Sequence, residues 1–90
     1  MAIYKQITAT NQIKVGLTKL KSIIVSSVSG SPTITVYDED QNGTTRKAID
    51  TFIPVGATVY MFTGDEGGLV LNKGCNVVLG GTVSCTVCFE

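Results

Sequence analysis

The sequence predicts an all-β fold, a compact antiparallel β-sandwich of seven or eight short strands with jelly-roll or other Greek-key connections. Three observations carry it. Val, Ile and Thr dominate and suit a pleated surface. Apolar residues recur at every second position, and no window has helical periodicity. Turn signals punctuate the chain at intervals of about 8–12 residues.

Thr33 to Tyr37 (TITVY) alternates polar and apolar after Ser-Gly-Ser-Pro at 29–32, a turn cluster with Pro32 just ahead of the strand. Val83 to Phe89 (VSCTVCF) sends Val83, Cys85, Val87 and Phe89 to one face and Ser84, Thr86 and Cys88 to the other. Leu20 to Val28 begins with Lys19 and Lys21 pointing away from Leu20 and then becomes apolar on both faces at Ile23-Ile24-Val25. A strand buried on both faces or a bulge that shifts its register explains that run. Lys47–Ile53 and Ala57–Thr63 read as strands around Pro54-Val55-Gly56, with Tyr60 and Phe62 facing opposite Val59 and Met61. Gly67-Gly68 and Gly80-Gly81 bracket Leu69–Leu71 and Cys75–Leu79. Residues 2–10 form a first strand or an arm reaching onto a neighbour, with the arm favoured. No linker or repeat divides the 90 residues, which read as one domain.

A chain of this length buries only about 60–65% of the surface its unfolded form exposes, so it depends on help from a disulfide, a metal or association. Seven basic and seven acidic residues give a formal net charge of zero. That balance leaves no electrostatic footprint for nucleic acid and little charge to hold copies apart. Neutrality therefore favours life inside an assembly. No apolar run approaches the ~20 residues of a membrane span, and the start lacks a secretion signal. Synthesis and residence in a cytosol are expected, with no membrane partner.

The stretch VYDEDQNG (36–43) sets Asp38, Asp40 and Asn42 at alternate positions before Gly43, like the opening of a calcium loop. Counted from Asp38, however, the position of the bidentate glutamate is Ile49, and strands flank the loop. Asn42-Gly43 is also a hairpin turn signal, with Asp38 and Asp40 solvated at its tip. The hairpin is the expectation, and Asp38, Asp40 and Asn42 remain the candidates for a looser calcium site. Cys85 and Cys88 form a CxxC, but three steps along a strand separate their Cα atoms by about 10 Å, beyond the ~7 Å a disulfide allows. Zinc would need Cys75 and a fourth ligand, and there is no His. A Cys75–Cys85 or Cys75–Cys88 bridge is geometrically conceivable, though free thiols are favoured, with Cys85 in the core and Cys88 turned outward toward solvent or another chain.

The glycines match no phosphate loop, the hydroxyls lack a His to activate them, and Asp50, Asp65, Glu66 and Glu90 are too scattered for a glycosidase-like acid pair. No enzyme and no cofactor are expected. Lys19, Lys21, Arg46 and Lys47 read as a solvated face.

Two longer stretches carry a resemblance. LTKLKSIIVSSVSGSPTITVYDEDQNG (17–43) is similar to the front of small structural proteins encoded among the virion genes of tailed bacteriophages, and GGLVLNKGCNVVLGGTVSCTVCFE (67–90) resembles their close. The three cysteines depart from that pattern. The resemblance implies a capsid decoration or cement protein at the virion surface, made in the bacterial host cytoplasm. It implies a trimer or other small homo-oligomer bound to the major capsid protein. The alternatives are a head-fibre base or neck or tail component and, in another class, a carbohydrate-binding module, against which stand the absence of Trp and the presence of only three Tyr. Strand edges and second apolar faces make Ile3, Tyr4, Ile23, Val25, Tyr60, Phe62 and Cys88 the interface candidates.

Overall fold

The computed structural model describes residues 3–62 and 67–90. They form seven strands and no helix: β1 (Ile3–Ile7), β2 (Asn11–Val15), β3 (Thr18–Tyr37), β4 (Lys47–Phe52), β5 (Thr58–Met61), β6 (Leu69–Leu71) and β7 (Gly74–Phe89). All pairings are antiparallel. The fold is all-β and antiparallel as expected, and its strands are hydrogen-bonded into one sheet, because two long strands run through its whole length. β7 and β3 lie side by side, β1 and β2 follow each other along the outer side of β7, and β6, β5 and β4 line the outer side of β3.

At about 3.3 Å per residue, the 20 residues of β3 would stretch roughly 60 Å if straight. The longest dimension of the molecule is 33 Å. The two long strands must therefore fold back together, and the register shows where. Ser29 pairs with Thr82 and Thr33 with Gly80, so Gly30, Ser31 and Pro32 stand opposite Gly81 alone. Gly30 and Gly81 both take positive φ, 70° and 69°, which only glycine adopts without cost. The turn signals at 29–32 and 80–81 therefore mark a bend within β3 and β7, and they do not end strands. Leu20–Val28 and Thr33–Tyr37 are the two arms of β3, and Cys75–Leu79 and Val83–Phe89 lie in the two arms of β7.

The bend divides the sheet into two halves. In the first, the order is β1, the end of β7, the start of β3, then β5 and β6. In the second, it is β2, the start of β7, the end of β3, then β4. Gly16-Leu17 connects β2 of the second half to β3 of the first, and Asn72-Lys73 connects β6 of the first to β7 of the second. Each link spans at most about 11 Å, so the far ends of the halves meet, and Gly16 N–H donates to the Lys73 carbonyl (2.8 Å). Leu20, Ile23, Val25 and Val87 of the first half and Ile34, Val36 and Val77 of the second belong to one buried cluster.

Residues 3–7 form a strand paired with β7 from Ile3↔Phe89 to Ile7↔Cys85, so the favoured arm is corrected to a sheet edge; Ala2 lies outside the described residues. β2 has no counterpart among the expected strands. Expected β5 shortens to Thr58–Met61 because Ala57 turns into positive φ, 55°; Thr63, Asp65 and Glu66 lie outside the described residues.

Candidate interaction surface

Alternation along each strand of the first half sorts its residues by face. Residues directly opposite one another on neighbouring antiparallel strands share a face. One row therefore runs Lys5, Val87, Ile23, Tyr60, and the next Ile7, Cys85, Val25, Thr58. Ile23, Val25, Cys85 and Val87 in these rows are wholly buried, so this is the core face. The opposite face carries the row Tyr4, Cys88, Ser22, Met61 and the row Gln6, Thr86, Ile24, Val59. None of these eight residues is charged. Ser22 is buried within this face, but elsewhere it is open to solvent: Tyr4 and Met61 are each 74% exposed, Val59 53% and Ile24 38%.

The interface candidates separate on this geometry. Ile3 and Tyr4 are exposed on the β1 edge, and Cys88 is half-buried in the outer row between Tyr4 and Ser22. Ile23 and Val25 are corrected to core residues, because the register of β3 turns these odd positions inward and only Ile24 outward. Tyr60 and Phe62 are half-buried against the core. The Tyr60 hydroxyl accepts the Val55 N–H (2.9 Å) and its ring meets Phe52 edge-on at 5.1 Å. The outward partners that sequence reasoning missed, Ile24, Val59 and Met61, are the other parity of the same strands. Which parity faced water was hidden because both were apolar.

The DEDQNG segment is a hairpin turn. Gln41 and Asn42 take φ of 53° and 59°, and Gly43 N–H donates to the Asp40 carbonyl (3.0 Å). Two positive φ values at the central positions mark a type I′ turn, centred one residue before Asn42-Gly43. Gly43 serves instead by its size, since a Cβ there would lie 2.9 Å from Glu39 Cβ. The calcium candidates are held by separate partners, Asp38 through its side chain and Asp40 and Asn42 through their backbone. Asp38, half-buried where solvation was expected, accepts the Lys73 N–H at 2.8 Å. Asn42 is fixed through its N–H, given to Gln12 Oε1 at 2.8 Å. Gln12 Nε2 in turn donates to the carbonyls of Lys14 (3.0 Å) and Glu39 (2.8 Å). Among the described residues no group of three or more acidic, Cys or His side chains is arranged to hold a metal.

Cys75 and Cys85 are buried and Cys88 half-buried, all three as free thiols. Burial, with the Asp38 charge adding to it, pushes the Cys75 thiol up to about 12; burial also raises that of Cys85. Two of the scattered acids form ion pairs with lysines. Asp50 meets Lys47 at 3.2 Å, and its carboxyl is held low by the Thr51 N–H and by Lys47. Glu90 meets Lys19 (3.8 Å) and Lys21 (4.0 Å). Of the three tyrosines only Tyr4 is exposed; Tyr37 and Tyr60 are half-buried. No cavity opens among the described residues. No protein-family model, curated protein or solved structure matches this chain.

Proposed function

We propose that this protein is a structural component of a tailed-bacteriophage virion that decorates the capsid, associating with its own copies and binding the outer lattice of the major capsid protein. One observation carries the reading: the uncharged outer face from Tyr4 and Gln6 across to Met61 and Val59, on a neutral domain. Exposed apolar area of this kind marks a contact surface. The resemblance of residues 17–43 and 67–90 to small virion proteins supplies the setting. Doubled antiparallel sheets recur in capsid and lectin domains, so the fold is compatible with this role without selecting it.

The work is done by interface burial. A copy seated across neighbouring capsomers resists their separation by the free energy of its contacts. Each need only be modest, because contacts repeated around a lattice add avidity. A small domain gains in return, since binding to the folded state shifts its own folding equilibrium. The test is to heat filled heads with and without the protein and follow genome release by dye access. Heads lacking the protein release their genome at lower temperature if the reading holds. Identical release curves overturn it.

A further inference from the structure

We propose that β5 is a self-complementary edge through which two copies of this chain join, about a two-fold axis, into one continuous eight-stranded layer. The inference deepens the self-association in the reading above and does not depend on capsid binding.

The sheet has five outer strands, and they are unequally protected: β6 has only three residues, Leu69–Leu71, and a very short edge offers little to pair with. Pairing of β2 shifts between Gln12 and Lys14, and the strand carries Lys14. Pairing of β4 shifts twice, and that strand carries Lys47 and Asp50. Bulges and charges are the devices that keep sheet edges from pairing with other chains. β1 pairs without a shift but holds Lys5. β5, Thr58-Val-Tyr-Met61, pairs with β3 over four consecutive positions without a shift and has no charge, Pro or Gly.

The direction of its hydrogen-bonding groups follows from one bond. Phe62 N–H donates to the Lys21 carbonyl (2.9 Å), which makes Phe62 and Lys21 a hydrogen-bonded pair. Such pairs alternate in an antiparallel ladder. Tyr60↔Ile23 and Thr58↔Val25 are then also hydrogen-bonded pairs, while Val59↔Ile24 and Met61↔Ser22 are not. The backbone N–H and C=O of Val59 and Met61 therefore point away from β3, across an edge that no strand among the described residues covers.

Within the residues of β5 alone, a second copy satisfies them in one register. A two-fold axis normal to the sheet keeps the outer faces on one side only if residues of like parity meet. Centred on Tyr60, it sets Val59 opposite Met61 of the second copy, Tyr60 opposite Tyr60, and Met61 opposite Val59. The two Val59–Met61 pairs exchange four backbone hydrogen bonds, and the groups that exchange them are the ones left pointing outward. A register centred on Val59 would instead bring Ala57 into the ladder, where positive φ has already turned the chain aside. On the outer face each Met61 packs beside Val59 of the other copy, and Ile24 continues the row on either side. No charges oppose one another there, and a formal net charge of zero adds no long-range repulsion. The two-fold arrangement uses the β5 edge of both copies and closes, whereas pairing of β5 with β1 of a second copy would leave free edges and polymerise.

Sedimentation velocity from micromolar to millimolar protein tests this. The wild type is expected to pass from monomer to dimer and no further. Val59→Pro removes an N–H that the monomer does not use, a change tolerated on an outward-facing edge, and Met61→Lys places a charge on the same edge. Both are expected to keep the wild-type circular dichroism spectrum and stay monomeric throughout. Exchange protection at the Val59 and Met61 amides is expected only where the wild type dimerises. A wild type monomeric at millimolar concentration, variants that dimerise as it does, or open-ended polymers overturn the proposal. Identical heat release from heads with and without the protein overturns the capsid reading and leaves this one standing.

Discussion

Asp38 shows how little a motif of acids reveals before its partners are known. Its carboxylate caps the N–H of Lys73, 35 residues along the chain, and so ties the β3–β4 hairpin to the β6–β7 link. Gln12 ties β2 to the same hairpin through Glu39 and Asn42. None of these partners is near in sequence, so spacing alone exposed the turn and not the clamp around it. Asn76, wholly buried beneath, donates Nδ2–H to the Gly43 carbonyl (2.8 Å). Cys75 lies next to it, and its titration is measurable in stability. A thiol at 9.0 in the unfolded chain and at about 12 in the fold binds its proton more tightly when folded. The stability it contributes is complete below pH 9.0 and is lost as pH rises from there toward about 12, at up to about 1.4 kcal/mol per pH unit. Urea denaturation at a series of alkaline pH values is expected to show a shallower decline for Cys75→Ala than for the wild type. Parallel declines would mean that Cys75 ionises alike in both states.

At the scale of elements, Val83–Phe89 was legible because it buries one face. Ile34–Val36 and Cys75–Val77, by contrast, are buried at every position, and only the polar Thr35 and Asn76 keep the alternation visible there. Val83, Cys85, Val87 and Phe89 lie inward just as their spacing predicts. What spacing could not reveal is continuity across a bend, since Gly and Pro end a strand and kink a strand with the same residues. β2 went unread although Gln12 to Val15 alternates, because its Asn, Gln and Lys look like a loop when the strand they border is unknown. The two bend glycines differ in a way that can be tested. At Gly81 a Cβ would lie 2.5 Å from the Ser31 carbonyl oxygen and 3.0 Å from Pro32 Cα; at Gly30 nothing stands within 4 Å. Both positions carry the cost of positive φ, about 1–2 kcal/mol for a residue with a Cβ. Gly30→Ala is expected to lose roughly that amount in chemical denaturation, and Gly81→Ala measurably more, because backbone on the facing strand must move. Equal losses would mean that the bend yields freely at Ser31.

For the whole molecule, the doubling of one sheet distributes the chain ends unequally. Both terminal segments pair with each other, yet the first lies on the rim and the last in the middle. Of β1 only Ile7 is buried, the other four residues being exposed. The last eight residues of the chain supply Val83, Cys85, Val87 and Phe89 to the core, and they stand between β1 and β3. Each apolar side chain so buried contributes about 1.5–3 kcal/mol, so losing four costs an amount comparable with the ~5–15 kcal/mol total of a small domain. The same truncation would strip β1 of the strand it pairs with and open the buried side of β3. Removal of residues 1–7 is therefore expected to lower the melting temperature while leaving a cooperative transition and a β-type circular dichroism spectrum. Removal of residues 83–90 is expected to abolish the transition. Cooperative unfolding of the second truncation would show that the bend and the second half fold without their cover, and that the sheet is two units where its continuous strands describe one.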